Sequence, residues 1–242
     1  MKGVILAGGT GTRLRELTKV INKHLLPVYN EPMIYYPVRT LINAGIRSIL
    51  IVTDKRKAGD FLRLLGSGEE FGARFTYGLQ DKAKGIADAL LRARDFAGND
   101  KMTVILGDNI VLGESAWLND RFKGNCKLFL KEVPDPGRYG VAVLSGEGKL
   151  VDILEKPSNP PSNLIVTGIY QYSSEVFDII ENLTPSGRNE LEITDVNREL
   201  LARGGVEYEI IHNQWIDAGT VESLYEAQEM VRRFLKDGEP RM

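Results

Sequence analysis

GVILAGGTGTRLRELTKVINKHLLPV, residues 3–28, begins with a short apolar run that passes directly into glycines and then into cations. The apolar run is typical of a strand that is covered on both faces of a sheet. Glycines that follow such a strand let backbone N–H groups approach a phosphate closely, and nearby cations can neutralise it. Between Gly11 and His24 four cations stand against one acid, Glu16, which gives a local charge of plus three (four minus one). The stretch therefore predicts a strand followed by a polyphosphate-binding loop.

Two common phosphate loops do not match this stretch. A P-loop requires GxxxxGK followed by Ser or Thr, whereas Gly11 is followed by Thr12, Arg13 and Leu14. The dinucleotide fingerprint requires a glycine where Leu14 stands, and an acid about 20 residues further on at the end of the next strand. The next predicted strand ends at residues 53–54, which is too late. A nicotinamide-dependent dehydrogenase is therefore the disfavoured alternative.

Apolar runs alternate with segments of helical period over the first 110 residues. This alternation of strands and helices predicts right-handed crossovers and a mostly parallel sheet, and hence an α/β fold. The expected strands and helices are strands 3–7, 48–53, 75–79 and 102–106 and helices 32–44, 58–65 and 86–96.

The order of elements changes after residue 110, where strand patterns follow one another. We expect these strands to add antiparallel pairs to the same sheet, and two helices to close the chain, the second with Thr220 as its N-cap. The expected elements are strands 127–133, 140–145 and 164–173, a turn at 146–149, a loop at 157–163, and helices 194–203 and 220–236. No repeat or linker divides the sequence, so a single domain is expected.

Composition limits the class of protein. The 242 residues are 43% hydrophobic and 26% charged, as in ordinary globular proteins. The net charge of −2 disfavours a nucleic-acid partner, since such proteins usually carry an extended basic stripe. The single cysteine, Cys126, cannot form an internal disulfide, and two histidines disfavour a His-rich zinc site. Without a signal peptide or membrane span, a cytoplasmic protein with no membrane partner is expected.

The opening stretch and six later motifs together resemble the sugar-1-phosphate nucleotidyltransferases, and most closely the glucose-1-phosphate thymidylyltransferases. The resemblance runs from Met1 to about Val231. The motifs are GG-T-GTRL with K-LLPV and PMIYYP (8–37), LGDN (106–109), YGV (139–141), EKP (155–157), VTGIY (166–170), ELEITDVN (190–197) and WIDAGT (215–220).

This resemblance implies a three-layer Rossmann-like fold with a mixed, mostly parallel central sheet. It implies one domain, residues 1–242, with a nucleotide-binding half (1–110), a sugar-binding half (111–219) and a C-terminal helix (220–237). The implied reaction transfers a nucleotidyl group from dTTP or UTP to a hexose 1-phosphate, with glucose 1-phosphate expected. Two alternatives stay open: a UTP-dependent uridylyltransferase, and a catalytically silent regulatory subunit that senses sugar nucleotides.

Asp108 directly follows the fourth predicted strand and is suited to hold a hard divalent cation through its carboxylate. The resemblance implies that Asp217 shares Mg²⁺ with it, and that Arg13, Lys23 and Lys156 complete the catalytic set. The implied nucleotide-binding residues are Gly8, Gly9, Gly11, Thr12, Arg13, Lys23, Gln80, Gly85 and Asp108. The implied sugar-phosphate-binding residues are Gly140, Glu155, Lys156, Val166, Tyr170 and Arg188.

The sequence also departs from the family pattern. Glu16 and residues 81–84 stand where the family usually has prolines, Asp88 replaces Gln, and Asn189 replaces Gly. The changes at residues 81–88 surround Gln80 and Gly85, which the resemblance implies contact the base. The preference for thymine or uracil therefore stays open. Longer thymidylyltransferases continue for several dozen residues beyond the point that matches Met242. We therefore expect a short form without their regulatory site. In such a form, downstream nucleotide sugars are expected to inhibit only by competing at the active site. A homo-oligomer stays open.

Overall fold

The computed structural model describes residues 1–9, 11–119 and 122–237. The chain divides into two compact units, each assembled from separate stretches of sequence. The first unit comprises Met1–Ala83, Thr103–Asp120 and Asn213–Met242, and the second comprises Lys84–Met102 and Arg121–His212. The functional division of the sequence at residues 110 and 219 stays a prediction.

The strands of the described residues fall close to the predicted runs, with additional short strands between them. They are β1 (Lys2–Ala7), β2 (Pro27–Val28), β3 (Glu31–Pro32), β4 (Ser48–Asp54), β5 (Arg74–Gln80), β6 (Met102–Leu106), β7 (Asn109–Leu112), β8 (Cys126–Glu132), β9 (Gly140–Leu144), β10 (Leu150–Glu155), β11 (Leu164–Tyr172), β12 (Val206–Ile210) and β13 (Gln214–Asp217).

The helices include one that the sequence analysis did not predict, α5, and one predicted helix that is divided in two. They are α1 (Tyr35–Asn43), α2 (Ala58–Leu65), α3 (Ile86–Leu91), α4 (Arg94–Ala97), α5 (Glu175–Glu181), α6 (Ile193–Arg203) and α7 (Val221–Lys236). The division at residues 92–93 occurs because Arg92 and Ala93 donate to carbonyls three residues back, Ala89 and Leu90, which tightens the turn.

The first unit contains the parallel strands β1, β4 and β5. Strand β4 pairs in parallel with β1 and with β5, and β6 lies on the other side of β1. Parallel pairing brings the carboxyl ends of β1, β4 and β5 to one edge, where the loop after β1 begins. Gly107 N–H donates to the Leu6 carbonyl at 2.9 Å, so the loop after β6 begins beside the end of β1. The loop after β1 is anchored by Leu14, which is fully buried in an apolar cluster with Val28, Ile110 and Phe234. The predicted α/β fold is confirmed.

Most strand pairs of the second unit are antiparallel. Strand β11 pairs antiparallel with both β8 and β9, and β9 forms a hairpin with β10. The predicted turn at residues 146–149 is confirmed, since Ser145 and Lys149 close it with a backbone hydrogen bond of 2.8 Å. Strand β12 adds to β8 in parallel, and α6 packs on β10 and α5. The sheet character is therefore mixed, as expected.

Helix α7 begins at a complete capping box. Thr220 accepts a hydrogen bond from the Ser223 backbone N–H at 3.1 Å, and the Ser223 hydroxyl accepts one from the Thr220 N–H at 3.0 Å. The predicted N-cap is thus confirmed, and it fixes the chain direction directly after β13. Among the helices of the described residues, none is long and apolar enough to cross a membrane.

Candidate active site

The glycine-rich loop follows β1 in the first unit, and its glycines are packed against side chains. Gly11 has a φ of 70°, and an added Cβ would lie 2.9 Å from the Thr18 methyl group, so this position requires glycine. At Gly9 an added Cβ would lie 3.3 Å from Lys23 Cε, and at Gly8 it would collide with the Gln80 side-chain amide. The structure therefore brings three predicted nucleotide-binding glycines together with Lys23 and Gln80.

Thr12 and Arg13 lie in a 3-10 segment, residues Thr12–Thr18, that the buried Leu14 holds down. The Thr18 hydroxyl donates to the Gly11 carbonyl at 2.9 Å, and Leu14 N–H donates to the same carbonyl at 2.8 Å. These bonds close the loop on itself, and Leu14 anchors it in the apolar cluster while Arg13 is exposed.

Lys23 and Asp108 form an ion pair in which Lys23 Nζ donates to Asp108 Oδ2. Burial raises the pKa of the Asp108 carboxyl, but the Lys23 charge and hydrogen bond outweigh burial, and the pKa lies well below its usual range. Asp108 is therefore ionised. His24, which follows Lys23, is fully buried, and burial together with the Lys23 charge lowers its pKa to about 3, so the imidazole is neutral.

Asp217 is brought beside Asp108 by backbone pairing. Strands β13 and β7 pair with Asp217 opposite Asn109, and Ala218 N–H donates to the Asp108 carbonyl at 2.9 Å. Burial, and then the charge of Asp108, raise the pKa of the Asp217 carboxyl to about 6. Gly219 N–H donates to Asp217 Oδ1 at 2.9 Å, which fixes the carboxylate.

The space above Gly219 is bounded by charged groups. A Cβ at this glycine would lie 2.7 Å from Asp217 Oδ1, 2.9 Å from Arg13 Nη2 and 3.3 Å from Asp108 Oδ2. Three of the predicted catalytic side chains thus converge on a cradle that any larger residue would fill. Two carboxylate oxygens in one buried cradle suit a hard divalent cation that takes its remaining ligands from water or phosphate. Within the described part of the chain, no group of three His, Cys, Asp or Glu side chains forms a complete metal site by itself.

The second unit carries the predicted sugar-phosphate residues. Glu155 ends β10, and its carboxylate accepts from Thr194 Oγ1 at 2.6 Å and from Lys156 Nζ at 2.9 Å. Arg188 Nη2 lies 3.4 Å from the same carboxylate and 2.9 Å from Glu192. Burial alone would raise the pKa of Glu155, but the hydrogen bonds from Thr194 and Lys156 and the two cationic charges lower it overall.

Gly140 and Val166 lie beside this cluster, because the two residues pair directly across β9 and β11. An added Cβ at Gly140 would lie 3.3 Å from Thr194 Oγ1 and 3.8 Å from Glu155 Oε2. The Tyr170 ring is buried and stacks on Tyr172 with 5.6 Å between centroids, so the strand core holds it. Gly85 lies elsewhere in this unit, against the backbone of residue 191.

Comparisons with known proteins identify the family of the chain. A family model described as nucleotidyl transferase matches residues 2–233. The chain belongs to the nucleotidyl transferase family. A glucose-1-phosphate thymidylyltransferase of Mycolicibacterium smegmatis is 44% identical over 238 residues, covering 96% of this chain and 82% of the relative. One from Neisseria meningitidis is 42% identical, with 96% and 83% covered.

Solved structures show the same fold. A Bacillus anthracis crystal structure, described as a candidate glucose-1-phosphate thymidylyltransferase in complex with sucrose, superposes with a TM-score of 0.89 at 50% identity, covering 96% of this chain and 95% of that one. A UDP-glucose pyrophosphorylase complexed with UDP-glucose gives a TM-score of 0.84 at 28% identity, covering 96% and 98%. The expected Rossmann-like nucleotidyltransferase fold and the enzyme class are confirmed.

In this nucleotidyl transferase, sequence reasoning assigned no role to two residues that the structure places in the two clusters, Asn22 and Thr194. Asn22 donates to the Ala7 carbonyl at 3.3 Å and accepts from His24 N–H at 2.9 Å, which joins the glycine loop to the Lys23 turn. Thr194 holds Glu155. Thr194 stands inside one of the recognised motifs, but its partner is 39 residues away in sequence, so no local pattern could have predicted the contact.

Proposed function

We propose that this chain transfers the thymidylyl group of dTTP to glucose 1-phosphate and releases pyrophosphate. The observation that carries the proposal is the convergence of Arg13, Asp108 and Asp217 on Gly219, in the same unit as Lys23 and the glycine loop. The names of the relatives from M. smegmatis and N. meningitidis supply the substrate pair. Binding of a polyphosphate agrees with the local excess of cations between Gly11 and His24, in a chain whose net charge is −2.

In the proposed reaction, a phosphate oxygen of glucose 1-phosphate attacks the α-phosphorus of dTTP. A phosphorus–oxygen bond forms there while the bond to the bridging oxygen of the β-phosphate breaks, and the electron pair leaves with pyrophosphate. Catalysis of such a transfer rests on positioning and charge neutralisation rather than on a covalent nucleophile. The buried, ionised and hydrogen-bonded groups of both units fit that requirement.

The two cations of the first unit take different roles. Arg13 is proposed to bind the β- and γ-phosphates and to stabilise the leaving pyrophosphate, since its guanidinium can bind phosphate oxygens in a bidentate way. Lys23 is proposed to neutralise charge at the α-phosphate. Because Asp108 already holds the Lys23 ammonium, the charge is in place before the substrate arrives, and little side-chain ordering remains for the transition state.

Asp108 and Asp217 are the proposed Mg²⁺ ligands. Bound Mg²⁺ would supply Lewis-acid and template chemistry to the phosphates. Charge supports a Mg²⁺ ion at these carboxylates as well as oxygen chemistry does, because burial and the charge of Asp108 both disfavour ionisation of the Asp217 carboxyl. A divalent cation held by both carboxylates relieves that repulsion.

The cluster around Glu155 is proposed to hold glucose 1-phosphate. A carboxylate accepts hydrogen bonds from paired sugar hydroxyls, and Thr194 holds one oxygen of Glu155 in place at 2.6 Å. Lys156 and Arg188 both lie within ion-pair distance of Glu155, and about half of each side chain is exposed. Both cations can therefore reach a phosphate group that binds beside Glu155. Gly140 keeps the space beside Thr194 open.

The proposal is tested by measuring pyrophosphate release with dTTP, UTP, dCTP, ATP and GTP, each against the 1-phosphates of glucose, galactose and mannose. We expect the highest kcat/KM with dTTP and glucose 1-phosphate, and loss of release in the Asp108→Asn variant. A clear preference for UTP would replace the proposal with uridylyl transfer, which the UDP-glucose pyrophosphorylase neighbours make the second candidate. Absence of turnover in a folded protein that binds nucleotide sugars would favour a sensor.

A further inference from the structure

Gly85 is clamped by the backbone of Leu191 within the second unit. Leu191 N–H donates to the Lys84 carbonyl at 2.8 Å, and Ala87 N–H donates to the Leu191 carbonyl at 3.2 Å. Gly85 itself has a φ of 103°, and an added Cβ would lie 2.8 Å from the Leu191 nitrogen and closer still to the Leu191 oxygen. Residues 84–87 and residue 191 therefore form a short backbone ladder that only glycine allows.

The chain segment that contains Leu191 also reaches the proposed glucose 1-phosphate site. Glu192 accepts from Ser186 Oγ at 2.7 Å and lies 2.9 Å from Arg188 Nη2. The same Arg188 nitrogen lies 3.4 Å from Glu155. Backbone bonds from Ser186 N–H to the Glu190 carbonyl and from Asn189 N–H to the Ser186 carbonyl, both 2.8 Å, make residues 186–190 a closed turn. Displacement of Arg188 is therefore transmitted to Leu191 through a turn with few free torsions.

We infer that the ladder between Gly85 and Leu191 couples the binding of the base to the binding of the hexose 1-phosphate, with Gly85, Leu191 and Glu192 as positioning residues. The inference rests on the proposed function, in which the Gly85 backbone contacts the pyrimidine. An incoming phosphate dianion attracts Arg188 and Lys156 together and fixes the turn at 186–190. Leu191, and through it Gly85, is then fixed before the base binds, so this segment of the protein loses less conformational freedom when the base binds.

The coupling can be measured by calorimetry with two probes that cannot react with each other, thymidine and glucose 1-phosphate. Saturating glucose 1-phosphate is expected to lower the Kd of thymidine at least about fivefold, and thymidine must lower the Kd of glucose 1-phosphate by the same factor because binding coupling is reciprocal. Native protein that binds both probes with a factor of about one would overturn the inference while leaving the proposed function intact. Failure of either probe to bind native protein would overturn the inference, and pyrophosphate release with dTTP and glucose 1-phosphate decides the proposed function separately.

Two variants test whether the ladder between Gly85 and Leu191 carries the coupling. Gly85→Ala is expected to weaken thymidine binding about tenfold or more and to lower the coupling factor between thymidine and glucose 1-phosphate to about one. Gly204→Ala is its matched control, since Gly204 has a φ of 81° but no described atom lies within 4 Å of its Cβ position. The control should bind both probes as native protein does. Weaker thymidine binding with the full native coupling factor in Gly85→Ala would show a local effect and overturn the inference.

Glu192→Gln decides the matter if Gly85→Ala does not fold. The amide keeps the size of Glu192 but loses its charge, which weakens the link to Arg188 without touching Gly85. We expect the coupling factor to fall to about one while both probes still bind. Retention of the full native factor in Glu192→Gln would contradict transmission through Leu191.

Discussion

Lys23 donates a hydrogen bond to the carboxylate of Asp108, 85 residues later in the chain, and only 11% and 7% of the two side chains are exposed. A buried ion pair of this kind adds little net stability, but removal of one partner leaves an uncompensated charge. Asp217 lies in the same cluster with a raised pKa. The first unit thus holds two carboxylates against one paired lysine and one arginine, an arrangement suited to a cation and a polyphosphate.

Replacement of either carboxylate should strongly reduce turnover. Asp108→Asn and Asp217→Asn are each expected to lower kcat at least about a hundredfold, roughly 2.7 kcal/mol of transition-state stabilisation. Asp60→Asn is the control, since Asp60 forms an exposed pair with Arg63 in α2. Pyrophosphate release at saturating Mg²⁺ measures the effect. Near-native rates in both variants would remove the paired-carboxylate assignment.

The same two variants should differ in stability in metal-free buffer. Asp108→Asn leaves the buried Lys23 ammonium without its counter-charge, so its free energy of unfolding should fall by about 3 kcal/mol. Asp217→Asn removes a carboxylate whose ionisation is disfavoured by burial and by Asp108, so it should unfold no more easily than native protein at neutral pH. Urea unfolding with a chelator present tests this order, and the reverse order would contradict the pairing of Lys23 with Asp108.

Filling the cradle at Gly219 should weaken metal binding. The added methyl of Gly219→Ala would lie 2.7 Å from Asp217 Oδ1 and 3.3 Å from Asp108 Oδ2, so the two oxygens must move apart or rotate. We expect the Mg²⁺ concentration for half-maximal turnover to rise about tenfold or more, since misplaced ligands lose coordination geometry. Gly146→Ala, where no described atom lies within 4 Å, should titrate as native protein does.

Replacement of Arg13 and replacement of Lys156 should change different kinetic constants. Arg13→Ala removes the proposed contact to the leaving group and should mainly lower kcat, whereas Lys156→Ala removes the proposed contact to the attacking phosphate and should mainly raise KM for glucose 1-phosphate. Steady-state kinetics with each substrate varied distinguishes the two. The assignment would be wrong if Arg13→Ala changed only the KM for glucose 1-phosphate.

Loss of the α7 capping box should reduce stability without affecting the chemistry. Thr220→Ala removes the oxygen that accepts from Ser223 N–H and is expected to cost about 1 kcal/mol. Because Ser223 caps in return, the double variant with Ser223→Ala should cost less than the sum of the two single variants. Thermal unfolding of the four proteins measures the coupling, and strict additivity would contradict a reciprocal box.

Much of the fold follows from local pattern. Short apolar runs at β1, β4 and β6 predicted strands that are buried on both faces, whereas the run at β5 predicted a strand that is partly exposed in the structure. Strands β7 and β13 were not predicted, although each is four residues long and lies at a recognised motif. Their pairing depends on residues more than 100 positions apart, which no window of sequence can contain.

The sequence by itself determined the class of chemistry. Glycines after a strand, a local excess of cations and isolated aspartates at strand ends specify where an anion and a metal can be held, since these properties belong to single residues and their neighbours. Only the tertiary structure decided which of these groups meet: Lys23 with Asp108, Arg13 and Asp217 over Gly219, Thr194 with Glu155, and Gly85 against Leu191. The reason is physical, because the partners in these contacts lie far apart in the chain and meet only when distant elements pack or pair, which local residue spacing does not record.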